Sequence, residues 1–306
     1  MNRRHAITIL GAAALTSCRR RHSLLTVSDY AFGTAVHFQI HGISAAAFKK
    51  LSAECLSRLR EIESLFSLYD PDSTLCKLNR EGMLENPPEE FLHLIRTALG
   101  YGEKTEGLFD ITVQTLWNWR QKWKESDLTD RDIMEKTTWS ESLALVDFRK
   151  VKVTGHTVAF EKKGMAITLN GIVQGYATDQ IAALLQKRGV THMLVNIGEY
   201  AAFGNAPEGE PWEVELSATG KTINLPHGRA LAVSAGSGHT FDPEGRFHHI
   251  FHPSDGTNSR HDSTVVVTAP TATLADALST TLAIANEEER KVILAEFPEA
   301  DFREIR

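Results

Sequence analysis

Apolar residues change their period partway along this chain, and that change limits the fold more than any other feature. From Ser44 onward Phe48, Leu51, Cys55, Leu59, Ile62 and Phe66 recur every three or four positions, the stripe of an amphipathic helix. Past residue 150 the pattern becomes short and strand-like, with a hairpin expected at Val151–Thr154 and Thr157–Phe160. Further strands are expected at Ala166–Leu169, Met193–Ile197, Trp212–Leu216, Leu231–Val233 and Thr264–Thr268, and an earlier one over Tyr30–Ile40. Other helices are expected after Pro87-Pro88, over Tyr176–Arg188 with Gly189 as its stop, and over 271–285. Strands and helices mix without a regular βαβ alternation. This argues for an α+β fold of mixed sheets with packed helices rather than a doubly wound sheet.

Composition narrows the function. The 306 residues carry 33 Lys+Arg against 39 Asp+Glu, a net charge of −6, so a general nucleic-acid binder with a basic face is not expected. Without such a groove, Trp117, Trp119, Trp123 and Trp139 read as packing rather than as a base-stacking platform. No apolar run reaches the roughly 20 residues of a membrane span. Residues 1–18 instead have the layout of an export signal: Arg3-Arg4, the apolar stretch Ala6–Leu15, then Leu15-Thr16-Ser17-Cys18 in the manner of a lipobox. The expected organisation is a signal peptide at 1–18, a tether at 19–27 and a single domain at 28–306. A lipid on Cys18 would hold the protein on the periplasmic side of a bacterial membrane, after export by the general or the twin-arginine route. Cys55 and Cys76 remain, the first read as a small buried hydrophobe.

Three stretches could carry chemistry. Asp276 and Thr280 stand four apart in an expected helix, so both oxygens face one side, and Mg²⁺ needs only one or two carboxylates beside neutral oxygens. Thr168-Leu169-Asn170-Gly171-Ile172-Val173-Gln174-Gly175-Tyr176 runs from an extended segment through a glycine turn into a helix start, where backbone amides can meet an anion. Its spacing matches neither the dinucleotide fingerprint nor the Walker A loop. His239, His248, His249, His252 and His261 crowd the third stretch. Strand alternation would split His248 and His252 from His249, so a single general base is expected there rather than a zinc trio. Ser237 has Ala235 and His239 at the positions two residues away where a hydrolase elbow carries glycines.

Order and spacing bring these stretches together. Phe32-Gly33-Thr34 is similar to an M-G-T opening, and Ser67-Leu68-Tyr69…Ser73-Thr74-Leu75…Leu78-Asn79 to S-x-Y-x-x-x-S-x-L-x-x-L-N. Gly107-Leu108-Phe109-Asp110-Ile111-Thr112-Val113 is close to G-A-F-D-P-T-V, and the loop through Gly171–Ala177 parallels D-L-G-G-I-A-K-G-Y-A. His248–Gly256 is similar to H-H-I-I-D-P-x-T-G, and Ala275–Thr280 to A-D-A-L-A-T. This ordered set resembles the ApbE family, the flavin transferases that move FMN from FAD onto proteins. The resemblance implies an ApbE-type, T-fold-like architecture with FAD as substrate and Mg²⁺ as cofactor. It implies Asp276, Thr280, Gly171 and Ser279 as metal ligands. Phe32, Tyr69, Leu108, Phe109, Asp110, Thr168, Gln174 and Ile250 would line the FAD site. His249 would be the base acting on a Thr or Ser hydroxyl of a partner flavoprotein.

The chain departs from the family pattern at several positions. Thr168 stands for the loop aspartate, Gln174 for the loop lysine, His252 for the aspartate and Asp255 for the threonine of the histidine motif, and Gly198-Glu199-Tyr200 for G-G-E. One carboxylate and one cation of the phosphate site are thereby replaced. An FAD pyrophosphatase and a non-catalytic flavin-binding lipoprotein are the alternatives this leaves.

Overall fold

The computed structural model describes residues 23–127, 134, 137–216, 220–258 and 264–305. The expected signal peptide, Cys18 and His261 lie outside the described residues. The chain falls into two compact units, each assembled from separated segments. Unit 1 takes the chain up to Glu63, then Val173–Ala232 and Thr268–Asp276; unit 2 takes Ser64–Ile172, Val233–Val267 and the chain from Ala277. No linker marks the division, because the chain passes between units inside regular elements.

Unit 1 is built on antiparallel strands. β1 (Leu25–Ala31) and β2 (Thr34–His41) form a hairpin, β6 (His192–Ile197) pairs with β2, β7 (Tyr200–Phe203) with β6, and the start of β10 (Arg229–Ala235) with β7. The strand expected over Tyr30–Ile40 is therefore two strands. Phe32 and Gly33 both adopt positive φ, 51° and 75°, in the two-residue turn between them. Such a turn matches the right-handed twist of the strands it joins. β1 also starts at Leu25 and buries Leu25 and Val27, so the last residues of the expected tether belong to the sheet. Val36, Phe38 and Ile40 alternate inward along β2, as a half-buried strand requires.

Helix α1 (Ala45–Phe66) buries all six residues of its apolar stripe. Cys55 is fully buried and its thiol is pushed up to about 12 by desolvation, so it packs as a hydrophobe; both Cys55 and Cys76 are free thiols. Helix α6 (Val173–Lys187) packs on β6 and β7 and ends at Gly189, whose φ is 83°. The hairpin β8 (Trp212–Leu216) and β9 (Lys221–Leu225) completes the unit.

Unit 2 holds α2 (Thr74–Glu81), α3 (Glu89–Lys104), α4 (Gln114–Glu125) and the short α5 (Trp139–Leu143). A three-stranded sheet runs in the order β3 (Met83–Glu85), β5 (Thr157–Phe160), β4 (Val151–Thr154). Most of β11 (Thr264–Ala269) and of α7 (Ala272–Ile284), then α8 (Glu287–Glu296) and β12 (Asp301–Ile305), follow. Pro87 and Pro88 start α3 with Glu89 and Glu90 in its first turn, where acidic side chains suit the helix dipole. The stretch Ala166–Leu169, expected as a strand, joins no ladder. The Asn79 side chain accepts from the Ile167 amide and donates to its carbonyl, both at 2.8 Å, while the Thr168 amide donates to the Ile111 carbonyl. Side-chain partners thus replace a neighbouring strand. Among the described residues no helix is long and apolar enough to cross a membrane.

Candidate functional site

The anticipated residues divide between the units. Phe32, Gln174 and Asp276 belong to unit 1, and Tyr69, Leu108, Phe109, Asp110, Thr168, Gly171, His249, Ile250, Ser279 and Thr280 to unit 2.

In unit 1 the α6 start and the α7 start meet closely. The Gly175 amide donates to the Asp276 carboxylate at 2.9 Å, and Asp276 is only 3% exposed. Desolvation, with the charge of Asp179 beside it, pushes the Asp276 carboxyl up to about 7 against the pull of that amide. Asp179 itself accepts from the Ala272 and Thr273 amides, each at 2.8 Å, and so caps α7 from the side of α6. Its place at the end of the glycine-loop motif was the available signal, yet nothing in sequence told a cap from a solvated acid. A Cβ on Gly175 would stand 2.2 Å from the Ala272 carbonyl oxygen and 2.8 Å from the Asp276 Cβ. Gly175→Ala is therefore expected to destabilise the protein by about 1–3 kcal/mol or more, read by urea denaturation; wild-type stability would contradict this packing. Of the amides at this helix start, that of Gly175 is taken by Asp276. Gln174 lies along the Gly198 turn, where a Cβ would meet its amide at 2.8 Å. Phe32 is held in its left-handed conformation by its amide donating to Glu63 at 2.8 Å.

In unit 2 the glycine turn faces the second half of α7. A Cβ on Gly171 would lie 3.1 Å from the Thr280 hydroxyl oxygen, a tight approach that glycine relieves. Ser279 is fully buried and shares a 2.8 Å hydrogen bond with the Ser234 hydroxyl. Tyr69 is 72% exposed beyond the turn that Ser67 and Ser73 tie, Ser73 donating to the Ser67 carbonyl and capping α2. Leu108 is half-buried and Phe109 packs edge-on against Tyr101.

Asp110, expected at the FAD site, accepts hydrogen bonds from its own loop and from the Phe148 backbone. One carboxylate oxygen accepts from the Thr112 amide and hydroxyl, the other from the Phe148 amide. Burial still raises its carboxyl above the ordinary range. The geometry gives Asp110 the task of shaping the loop that carries Leu108 and Phe109. Thr168 likewise accepts from the Asn170 amide and shapes the turn.

The histidines separate. His248 is fully buried and lies against Gly236, where a Cβ would come 2.8 Å from its Nε2. His252 shares a hydrogen bond with the Ser254 hydroxyl and lies near Asp255 and Glu289. His249 Nδ1 stands 3.2 Å from the His239 carbonyl, and a carbonyl can only accept, so Nδ1 carries the proton and Nε2 keeps its lone pair. Burial lowers its pKa to about 4, leaving the ring neutral at physiological pH. Ile250 beside it is buried and fixed by Asn258 on its carbonyl. Among the described residues no three His, Cys, Asp or Glu side chains converge on one point as a metal site. An Asp/Thr/backbone oxygen set would contain only one such residue.

Comparison with known proteins decides the family. The ApbE family model matches residues 32–302. The chain belongs to the ApbE family. Among its relatives, a Haemophilus influenzae protein named FAD:protein FMN transferase is 27% identical over 304 residues, covering 92% of this chain and 87% of the relative. An Escherichia coli K12 protein of the same name is 27% identical, covering 86% of this chain and 78% of its own length. In three dimensions the ApbE protein from Thermotoga maritima matches with a TM-score of 0.75 and 27% identity, covering 91% of this chain and 93% of its own. The flavin transferase ApbE from Vibrio cholerae matches with 0.73 at 22% identity, covering 93% of this chain and 97% of its own, a likeness of fold. The α+β, ApbE-type architecture expected from sequence is thus the one observed.

Proposed function

We propose that this protein is a flavin transferase that moves FMN from FAD onto a Thr or Ser hydroxyl of an acceptor protein and releases AMP. Family membership supports flavin transfer; the buried Asp276 carboxylate is the observation that carries the finer reading. An acid that is 3% exposed, with a second acid adding to its charge, is costly without a cation. Its helix places Thr280 one turn on, and Gly171 leaves room at that hydroxyl. One carboxylate with neutral oxygens suits Mg²⁺, which keeps further positions for water and phosphate. Asp276, Thr280 and the Gly171 carbonyl would hold it, with the Ser279 hydroxyl, hydrogen-bonded to Ser234, as a fourth candidate ligand. When bound, the ion supplies Lewis-acid stabilisation of charge on the FAD diphosphate.

His249 Nε2 takes the proton from the acceptor hydroxyl as its oxygen attacks the FMN phosphorus. The new O–P bond forms as the bond to the bridging diphosphate oxygen breaks, and AMP leaves with that electron pair. Phe32, Tyr69, Leu108, Phe109 and Ile250 would surround the dinucleotide, with Asp110 and Thr168 shaping the loops and Gln174 offering a neutral amide in place of a cation.

Water in place of the acceptor hydroxyl would give a pyrophosphatase, and the uncharged Thr168 and Gln174 are the residues that favour weighing it. Incubation with FAD, Mg²⁺ and an acceptor separates the two: a fluorescent acceptor in a denaturing gel is expected, whereas free FMN with a dark acceptor would mean hydrolysis. We further propose that residues 1–18 direct export and that Cys18 carries the lipid anchor on the periplasmic side.

The pH profile follows from His249. A base whose pKa is held down to about 4 stays unprotonated far below the ordinary 6.5. The acid limb of transfer is expected near pH 4, not near 6.5. The same burial makes stability depend on pH: between these values the unfolded state binds more protons, so His249's contribution is full above 6.5 and is lost as pH falls toward 4. An acid limb at 6.5 in the rate profile would contradict this environment.

A further inference from the structure

We infer that Trp117 is a positioning residue, acting through His239 to fix the orientation and tautomer of His249. This rests on the reading of His249 as the base. The tryptophans of α4, expected as packing, do not all do the same work. Trp119 and Trp123 are buried, and Trp119 packs edge-on against Trp139 with ring centroids 4.8 Å apart. Trp117 instead stacks on the His239 ring, centroids 5.7 Å apart and planes 27° from parallel, while Phe241 meets that ring edge-on at 5.2 Å.

What His239 holds is its own carbonyl. That one oxygen accepts both the His249 amide at 3.1 Å and the His249 Nδ1 proton at 3.2 Å. Two donors of one residue on one acceptor fix the ring's rotation as well as its tautomer. The two arms carrying His239 and His249 are short: a bridge at Thr240–His248 and the Phe241 amide on the Phe247 carbonyl join them. Such a pair is marginal alone. α4 braces it along one face. Lys124 donates to the Thr240 carbonyl at 3.2 Å, the Arg120 guanidinium covers the Phe247 ring at 3.7 Å, and Trp117 grips His239. The same arm brings Gly238 beside the imidazole, where an added Cβ would stand 3.3 Å from its Cε1.

The test is nitrogen-15 NMR of the histidine side chains in the full protein, alongside steady-state transfer kinetics, for wild type, Trp117→Leu, Trp117→Phe and His239→Leu. His239→Leu keeps the carbonyl but loses the stack, and it serves if Trp117→Leu fails to fold. In wild type His249 should carry its proton on Nδ1. Both leucine variants should populate the Nε2-protonated form and lower kcat about 10- to 100-fold by misplacing the base, with KM for FAD unchanged. Trp117→Phe, which can still stack, should restore both readouts. An unchanged His249 tautomer in the leucine variants overturns the inference. A lost tautomer with undiminished kcat leaves the positioning intact and overturns the role of His249 as base.

Discussion

Asp276→Asn is expected to lower FMN transfer by about 10²–10³-fold or more, the scale on which one electrostatic partner of a developing charge acts, while leaving the fold intact. Asparagine keeps the size of the side chain, and its amide oxygen can still accept the Gly175 amide, which reaches Asp276 at 2.9 Å. What it removes is the negative charge that would hold Mg²⁺. Stability should move the opposite way from activity. A buried charge beside Asp179 is costly in the metal-free protein, so the metal-free variant is expected to melt above metal-free wild type. Added Mg²⁺ should raise the wild-type Tm, as any ligand specific to the folded state does, and leave the variant unmoved. Thermal unfolding with and without Mg²⁺ separates these effects from turnover. Equal Mg²⁺ responses in the two proteins would sink the assignment of Asp276 as a ligand.

His249→Ala is the second large effect, about 10²–10⁴-fold in transfer rate, the usual worth of a placed general base. FAD binding should survive, because the ring's hydrogen bond to the His239 carbonyl ties it to its own loop. Fluorescence titration of FAD, run beside the rate measurement, makes the distinction. Loss of binding in proportion to loss of rate would make His249 a binding residue and not a base.

Much of the fold was legible where a single periodicity governs burial. The stripe from Phe48 to Phe66 buries as read, and the hairpin at 151–160 has the expected bounds. Where partners come from side chains, periodicity was silent. Ala166–Leu169 has a strand's apolar pattern, yet Asn79 and Ile111 satisfy its backbone. The turn at Phe32-Gly33 was missed because a phenylalanine with positive φ is not a usual turn signal. α2 was missed because it is only eight residues long, too short for a repeating stripe.

The site was legible by residue type more than by role. Asp276 and Thr280 were read from spacing and Gly171 from the family resemblance, and Gly171 does abut Thr280. Ser279 and Asp110, anticipated as contacts, also carry hydrogen bonds within the protein: Ser234 for the first, Thr112 and Phe148 for the second. A sequence gives the atoms a side chain could offer, but not whether its own chain has already claimed them. The bracing of His249 by Trp117 and His239 was illegible for the same reason, since it runs through a backbone carbonyl.

Transfer itself is tested most directly by intact-mass analysis of an acceptor flavoprotein incubated with FAD, with and without Mg²⁺. The acceptor should gain one FMN on a Thr or Ser side chain, with one AMP released per FMN attached, and only when the cation is present. An acceptor of unchanged mass, with FAD either intact or split to free FMN and AMP, would contradict it.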